Sequence, residues 1–310
     1  MKSGTTLKLF ERDGELKPAR EQGFVLLVVL WVLTSAVLLV ASFNAAVRSG
    51  AASAVSEIGL TKSEALLDAG LEVAAVHLID QDEKRRWPGD GSKHRLAFAG
   101  ADLTLTVTEA NGLIDLNKSD EKLLRAFFQK FTNSTAKAAQ YTDVILRARE
   151  AASGDKKTEV SNTVTGGSQS FPGSHPAFID VWQLGRSGGI PRDVFARVAP
   201  FLTVYSRDGM IYPVAAPAEV LEAIPNLNRA DIEKVKYADK TALTDLMQKA
   251  QSYLTDQKGP AYLVSVRAHR TDDNYSTDRT FVIATGIDPR APYRLLAKWP
   301  TTNTAAEKTR

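Results

Sequence analysis

Hydrophobicity changes period along this chain, and each change predicts an element. Residues 24–43 carry no charge, and Thr34, Ser35 and Ser42 are their only hydroxyl side chains. As a helix rising ~1.5 Å per residue, this run spans about 30 Å, the thickness of a bilayer's hydrocarbon core. From residue 44 to about residue 81 there is no proline, and Val55, Ile58, Leu66, Ala69, Val73 and Val76 recur at spacings of three and four. That spacing predicts that the helix continues beyond the membrane, with one apolar stripe set to pack on another layer. Trp87-Pro88-Gly89-Asp90-Gly91 supplies the breakers that end it.

Period-two alternation follows. Residues 96–98 and 103–108 read as a hairpin turning at Gly100-Ala101-Asp102, the second run alternating apolar and hydroxyl side chains. The middle of the chain is helical in pattern instead. Residues 121–130 place Leu123, Leu124, Phe127 and Phe128 on one face, and residues 135–152 are alanine-rich. Residues 180–184 and 192–198 are read as short helices flanking Gly188-Gly189, and 218–224 with 229–236 as a further pair. Residues 153–173, with Gly166-Gly167-Ser168, are polar and aperiodic and read as a loop. Strand character returns at 201–205, 209–214, 261–269 and 279–287, with Thr271-Asp272-Asp273-Asn274 turning between the last two. The order helix, strands, helices, strands predicts an α+β fold.

Composition narrows the function. The net charge is +3 and the pI is near 8.9, but no dense Lys/Arg cluster is present, so nucleic acid is not the expected partner. With no cysteine, the chain has neither a disulfide, nor a thiol nucleophile, nor a cysteine metal site. Lys2, Lys8, Arg12, Lys17 and Arg20 precede the apolar run, whereas Arg48 stands alone after it until Lys62. The positive-inside rule therefore orients a single membrane span with its N-terminus in the cytoplasm and the rest of the chain outside.

The junction Gly23-Phe24 is the most specific feature. A secretory signal is cut after a shorter apolar core. Here a charged leader ends in one glycine directly before the apolar run, the arrangement that prepilin peptidases cut. Residues 24–33 (Phe24-Val25-Leu26-Leu27-Val28-Val29-Leu30-Trp31-Val32-Leu33), with Gly112-Leu113-Ile114-Asp115-Leu116-Asn117 and Pro200-Phe201-Leu202-Thr203-Val204 more weakly, resemble general secretion pathway protein K. That family is the minor pseudopilin of type II secretion that lacks the glutamate found in other pilins at the fifth mature position. Val28 occupies that position here.

The resemblance implies a pilin-like long N-terminal helix packed on an antiparallel sheet, with an inserted α-helical domain. It also implies cleavage between Gly23 and Phe24 and N-methylation of Phe24. The implied partners are prepilin peptidase and the minor pseudopilins I and J, with H as a further one. The expected divisions are a leader (1–23), a membrane helix (24–43), a pilin-like body (44–117 and 237–300), an inserted helical domain (118–236) and a disordered tail (301–310). Family members can hold calcium in the inserted domain. The acidic stretch expected there reads Asp143-Val144-Ile145-Leu146-Arg147, and the family's Asn-x-Asn-Thr-Ala reads Tyr212-Pro213-Val214-Ala215-Ala216. No metal ligand is carried over.

Competing chemistry is weaker. Gly185-Arg186-Ser187-Gly188-Gly189 matches G-x-S-x-G, which needs a strand before the serine and a helix after it, with only His269 downstream as base. A glycine-rich turn between helices is the better account, and no catalytic residue is assigned. Pro225-Asn226-Leu227-Asn228 resembles a helix-hairpin-helix turn, but asparagines stand where phosphate-approaching glycines belong and Lys234 and Lys236 make a thin basic patch. Asp272, Asp273, Asn274 and Asp278 would suit calcium, and equally are ordinary hairpin-loop residues. His77, His94, His175 and His269 are scattered, without the spacing of a helical metal site. Alternatives to the secretion reading are a minor pilin of a type IV pilus or competence filament, and a membrane-anchored periplasmic serine hydrolase.

Overall fold

A computed structural model describes residues 21–154, 176–236, 240–287 and 290–300. Most of the expected leader, His175, Gly166-Gly167-Ser168 of the expected loop and the expected tail 301–310 lie outside the described residues. The first element, α1 (Glu21–Ile79), is a single helix. It is shared between two units, residues 1–62 and residues 63–310.

In the first unit, the described side chains of α1 are exposed almost without exception. In the second, one face of α1 is buried: Leu66, Leu67, Leu71, Ala74, Ala75 and Leu78, with Ser63 beside them. The expected stripe is therefore displaced. Leu66 belongs to it, but Val76 is 60% exposed, and Val55 and Ile58 face outward as well. Close approach to the sheet selects small side chains, so Gly70, Ala74 and Ala75 face inward, while Ala69 and Val73 are half-buried and Val76 faces out. A Cβ on Gly70 would lie 2.5 Å from Val266 Cγ1.

In chain order the strands are β1 (Asp90–Phe98), β2 (Ala101–Glu109), β3 (Ile114–Asp115), β4 (Leu202–Thr203), β5 (Ala261–Arg270), β6 (Tyr275–Thr285) and β7 (Tyr293–Pro300). Five of them form an antiparallel sheet in the order β1-β2-β5-β6-β7. Period two decides its inner face: Leu103, Leu105 and Val107 of β2, Val264, Val266 and Ala268 of β5, and Phe281 and Ile283 of β6 join the α1 residues in one core. The β1–β2 turn is at Ala99-Gly100, not Gly100-Ala101-Asp102, because Phe98 pairs with Ala101. Both turn residues have positive φ, 49° and 77°, as a type I′ hairpin requires.

Among the described residues the remaining α-helices all lie between β2 and β5: α2 (Glu121–Thr132), α3 (Thr135–Gly154), α4 (Trp182–Arg186), α5 (Arg192–Val198), α6 (Ala218–Leu221), α7 (Arg229–Lys236) and α8 (Lys240–Lys249). Asp120 caps α2 by accepting the Lys122 amide at 2.8 Å, and left-handed Asn133 (φ 48°) ends it. Leu123, Leu124, Phe127 and Phe128 are buried as the pattern predicts. They enter a second core with Tyr141 and Ile145 of α3, Phe195 of α5 and Ile232 of α7. The expected strands at 201–205 and 209–214 shrink to β4, which pairs in parallel with β3, and one isolated bridge, Ile211–Leu254. The helical core also takes Ile114 and Leu116, and it includes Leu246, Ala250 and Leu254. Its packing thus runs past residue 236 on one side and before residue 118 on the other. The chain is α+β, with the helical block inserted between two strands that are neighbours in one sheet.

Candidate assembly and membrane segment

Phe24 and Val28 sit one turn apart on α1, 69% and 41% exposed, and Gly23 lies in the same helix. Every large apolar side chain from Phe24 to Phe43 is likewise exposed. Thr34 Oγ1 donates to Leu30 O and Trp31 O at 3.0 and 2.9 Å, and Ser42 Oγ donates to Leu39 O at 2.8 Å. These two hydroxyls are thereby satisfied within the helix, the condition that hydrocarbon imposes on a spanning segment. Among the described residues one helix is long and apolar enough to cross a membrane, and this is it.

Above it, ion pairs and hydrogen bonds fasten α1 to the sheet. The Arg270 side chain, buried at the end of β5, donates to Ser63 Oγ at 2.9 Å and to Asp273, and lies 5.0 Å from the centre of the Tyr275 ring. Glu64 pairs with Arg279, whose hydrogen bonds hold the Glu64 carboxyl below its ordinary range. Tyr293 Oη donates to Glu72 Oε1 at 2.7 Å, and Lys298 reaches Asp68 at 3.4 Å. Strands β5, β6 and β7 therefore each hold α1 by a polar contact besides the apolar core.

The other candidate residues take structural positions. Ser187 follows helix α4, not a strand, and its Oγ donates to Leu184 O at 2.7 Å. His269 bonds Ser276 Oγ at 2.9 Å across β5–β6. Neither forms a hydrogen bond with the other among the described residues, so the nucleophile-elbow context is absent. In the Pro225–Asn228 turn, Asn228 Oδ1 accepts the Asp231 amide at 2.8 Å, and Asp231 pairs with Lys249 at 2.7 Å. The turn is a helix start tied to α8; the Lys234 and Lys236 side chains lie outside what is described.

Asp272 and Asp273 are occupied by Arg270, while Asp278 stands in β6 opposite Arg267. Their carboxylates do not converge, and no group of three or more His, Asp or Glu positioned for a metal occurs among the described residues. His77 and His94 stack on opposite faces of Trp87, at 4.4 and 3.8 Å between centroids, joining the end of α1 to β1. Burial first, and His77 less, lowers the pKa of His94, with Asp90 opposing.

The Gly112–Asn117 segment holds a network that spacing alone does not reveal. Asp115, fully buried, accepts the Asn117 and Lys118 amides on Oδ1 and the Ser206 amide and hydroxyl on Oδ2, at 2.7–3.0 Å. Arg149 of α3 donates to Leu116 O, Ser119 O and Asp115 O. A Cβ on Gly112 would sit 2.5 Å from Ala215 O, so only glycine fits there. Glu109 was also missed by the sequence reading, although the alternation of β2, carried one step past Thr108, puts it on the inner face.

No protein-family profile and no curated protein matches this chain. Among solved structures it is similar to a chain of the GspK-GspI-GspJ complex from the enterotoxigenic Escherichia coli type 2 secretion system. The identity is 12%, the TM-score 0.53, and the match covers 79% of this chain and 98% of that one. At that identity the likeness concerns architecture, and the architecture here is pseudopilin-like: a long N-terminal helix, an antiparallel sheet and an added helical block.

Proposed function

We propose that this protein is a K-type minor pseudopilin of a type II secretion system, leading the periplasmic pseudopilus and initiating its assembly. The observation that carries this reading is Val28, an apolar side chain in the charge-free run 24–43, where a glutamate would meet the amine of the subunit ahead. A new α-amino group at Phe24 is a cation at the membrane edge, costly unless paired. A subunit that offers no carboxylate upward fits the position with nothing above it. The helical block between β2 and β5 supports the same reading, as bulk that would limit growth beyond the subunit.

On this reading prepilin peptidase cuts between Gly23 and Phe24, the amine of Phe24 is methylated, and the helix waits in the inner membrane. It then packs with the minor pseudopilins I and J, with H as a further partner. The solved complex similar in fold contains GspK, GspI and GspJ together, which supports such partners. Packing along Leu26–Phe43 and apolar burial supply the association energy.

The test is Val28→Glu in cells carrying the whole system, read by site-specific crosslinking to the other minor pseudopilins and by mass spectrometry of the mature N-terminus. Insertion and cleavage before Phe24 are expected to persist while crosslinks spread from the filament end into its length. A Val28→Glu protein found only at the end would remove the pairing argument. A mature chain beginning elsewhere than Phe24 would remove the pilin reading itself.

A further inference from the structure

The chain passes twice between the two cores. It leaves the sheet core after Val107 and enters the helical core at Ile114; it returns between Leu254 and Val264. Glu109 stands at the first crossing and Gly259 at the second, and the Gly259 amide donates to Glu109 Oε1 at 2.6 Å. Glu109 is 2% exposed, and no cation forms an ion pair with it among the described residues. Beside it, Asn111 Nδ2 donates to Gln257 O at 3.3 Å and Asn111 Oδ1 accepts the Arg207 amide at 2.9 Å. The packing is close: a Cβ on Gly89 would lie 2.8 Å from Glu109 Cβ, and one on Gly259 2.5 Å from Asn111 Oδ1.

We propose that Glu109 is a proton-operated latch between the sheet and the helical block: protonated, it keeps the two crossings shut; ionised, it loosens them. A buried carboxylate without a paired cation is costly, and water must enter to solvate it. Burial raises its pKa to about 7, against the Gly259 amide and the exposed Lys258, which both pull it down. The other titratable groups around it are Tyr212 and Tyr262, with Asp256 acting on Tyr212 and Arg86 on Tyr262; burial first, then the Glu109 charge, raises both phenols. The sign follows from linkage. The shut state binds the proton more tightly than an open, solvated one, so opening grows as pH rises through neutrality and is suppressed below it.

The latch is independent of the assembly role, because it rests on the junction alone. Its test is hydrogen exchange of the full chain in detergent, corrected for the intrinsic pH dependence of exchange, at the amides of Gly259, Arg207 and Tyr212. With an open-state carboxyl at its ordinary value, the opening constant should rise about tenfold from pH 6 to pH 8. Glu109→Gln should flatten that rise. Lys258→Met, at an exposed position, should move the midpoint upward without disturbing the fold. A Glu109→Gln protein with the same tenfold rise, or a Lys258→Met midpoint that stays in place, would overturn the latch.

Discussion

At the scale of single residues, the closest contact between α1 and the sheet is governed by an absence. Gly70 would be a liability in an isolated helix, where alanine is better by ~1 kcal/mol. Here an added methyl would lie 2.5 Å from Val266 Cγ1 and 3.1 Å from Leu105 Cδ2, both in a closed core. Overpacking typically costs about 1–3 kcal/mol, enough to outweigh the propensity gain. Gly70→Ala is therefore expected to lower stability by about 1 kcal/mol in chemical denaturation, and Val266→Ala in the same chain to recover part of it. A stabilised Gly70→Ala protein would mean that α1 does not seat on β5 as described. The same contact explains why sequence spacing misplaced the buried stripe. Valines attract a hydrophobicity count, but the face that touches a sheet closely is lined by Gly70, Ala74 and Ala75 among leucines. Glu109 escaped for a related reason: type says surface, while register in β2 says core.

Among elements, those with a clean period were legible and those with a broken one were not. β2 alternates throughout and β5 from Val264 on, and α2 shows its four-residue apolar face. β7 does not alternate, because its pairing with β6 shifts register between Val282 and Ile283 and leaves Leu296 between paired neighbours. α8 carries few large apolar residues, so its burial of Leu246 shows only once the helical core is assembled. The β1–β2 turn was misplaced by one residue because alanine is an unusual occupant of its left-handed first position. Left-handed backbone costs roughly 1–2 kcal/mol for a residue with a Cβ, less for asparagine. Ala99→Asn, giving the favoured Asn-Gly turn, should raise stability by about 0.5–1 kcal/mol. Gly100→Ala should lower it by about 1 kcal/mol although its Cβ meets nothing within 4 Å, since the strain lies in φ alone. Equal midpoints for Ala99→Asn and Gly100→Ala in urea would refute the type I′ assignment.

For the whole molecule, the division between an exposed apolar helix segment and a folded body is visible in where burial begins. Among the described residues, both cores draw only on residues from Leu66 onward, and the polar contacts that hold α1 to the sheet start at Ser63. The long apolar run made this division legible at one end. The insertion was legible only as a change of period, because the sheet pairs strands about 150 positions apart across it, as Glu109 of β2 opposite Tyr262 of β5 shows. If residues 24–43 serve the bilayer and its partners and not the fold, a chain beginning at residue 44 should be soluble without detergent and melt cooperatively. Its midpoint should lie within about 4 °C of the full chain in detergent, the shift that ~1 kcal/mol produces in a domain of this size. Calorimetry of both forms decides it. Loss of a cooperative transition on removing residues 1–43 would show that the apolar helix is part of the folding unit, and the case for a separate assembly segment would fail with it.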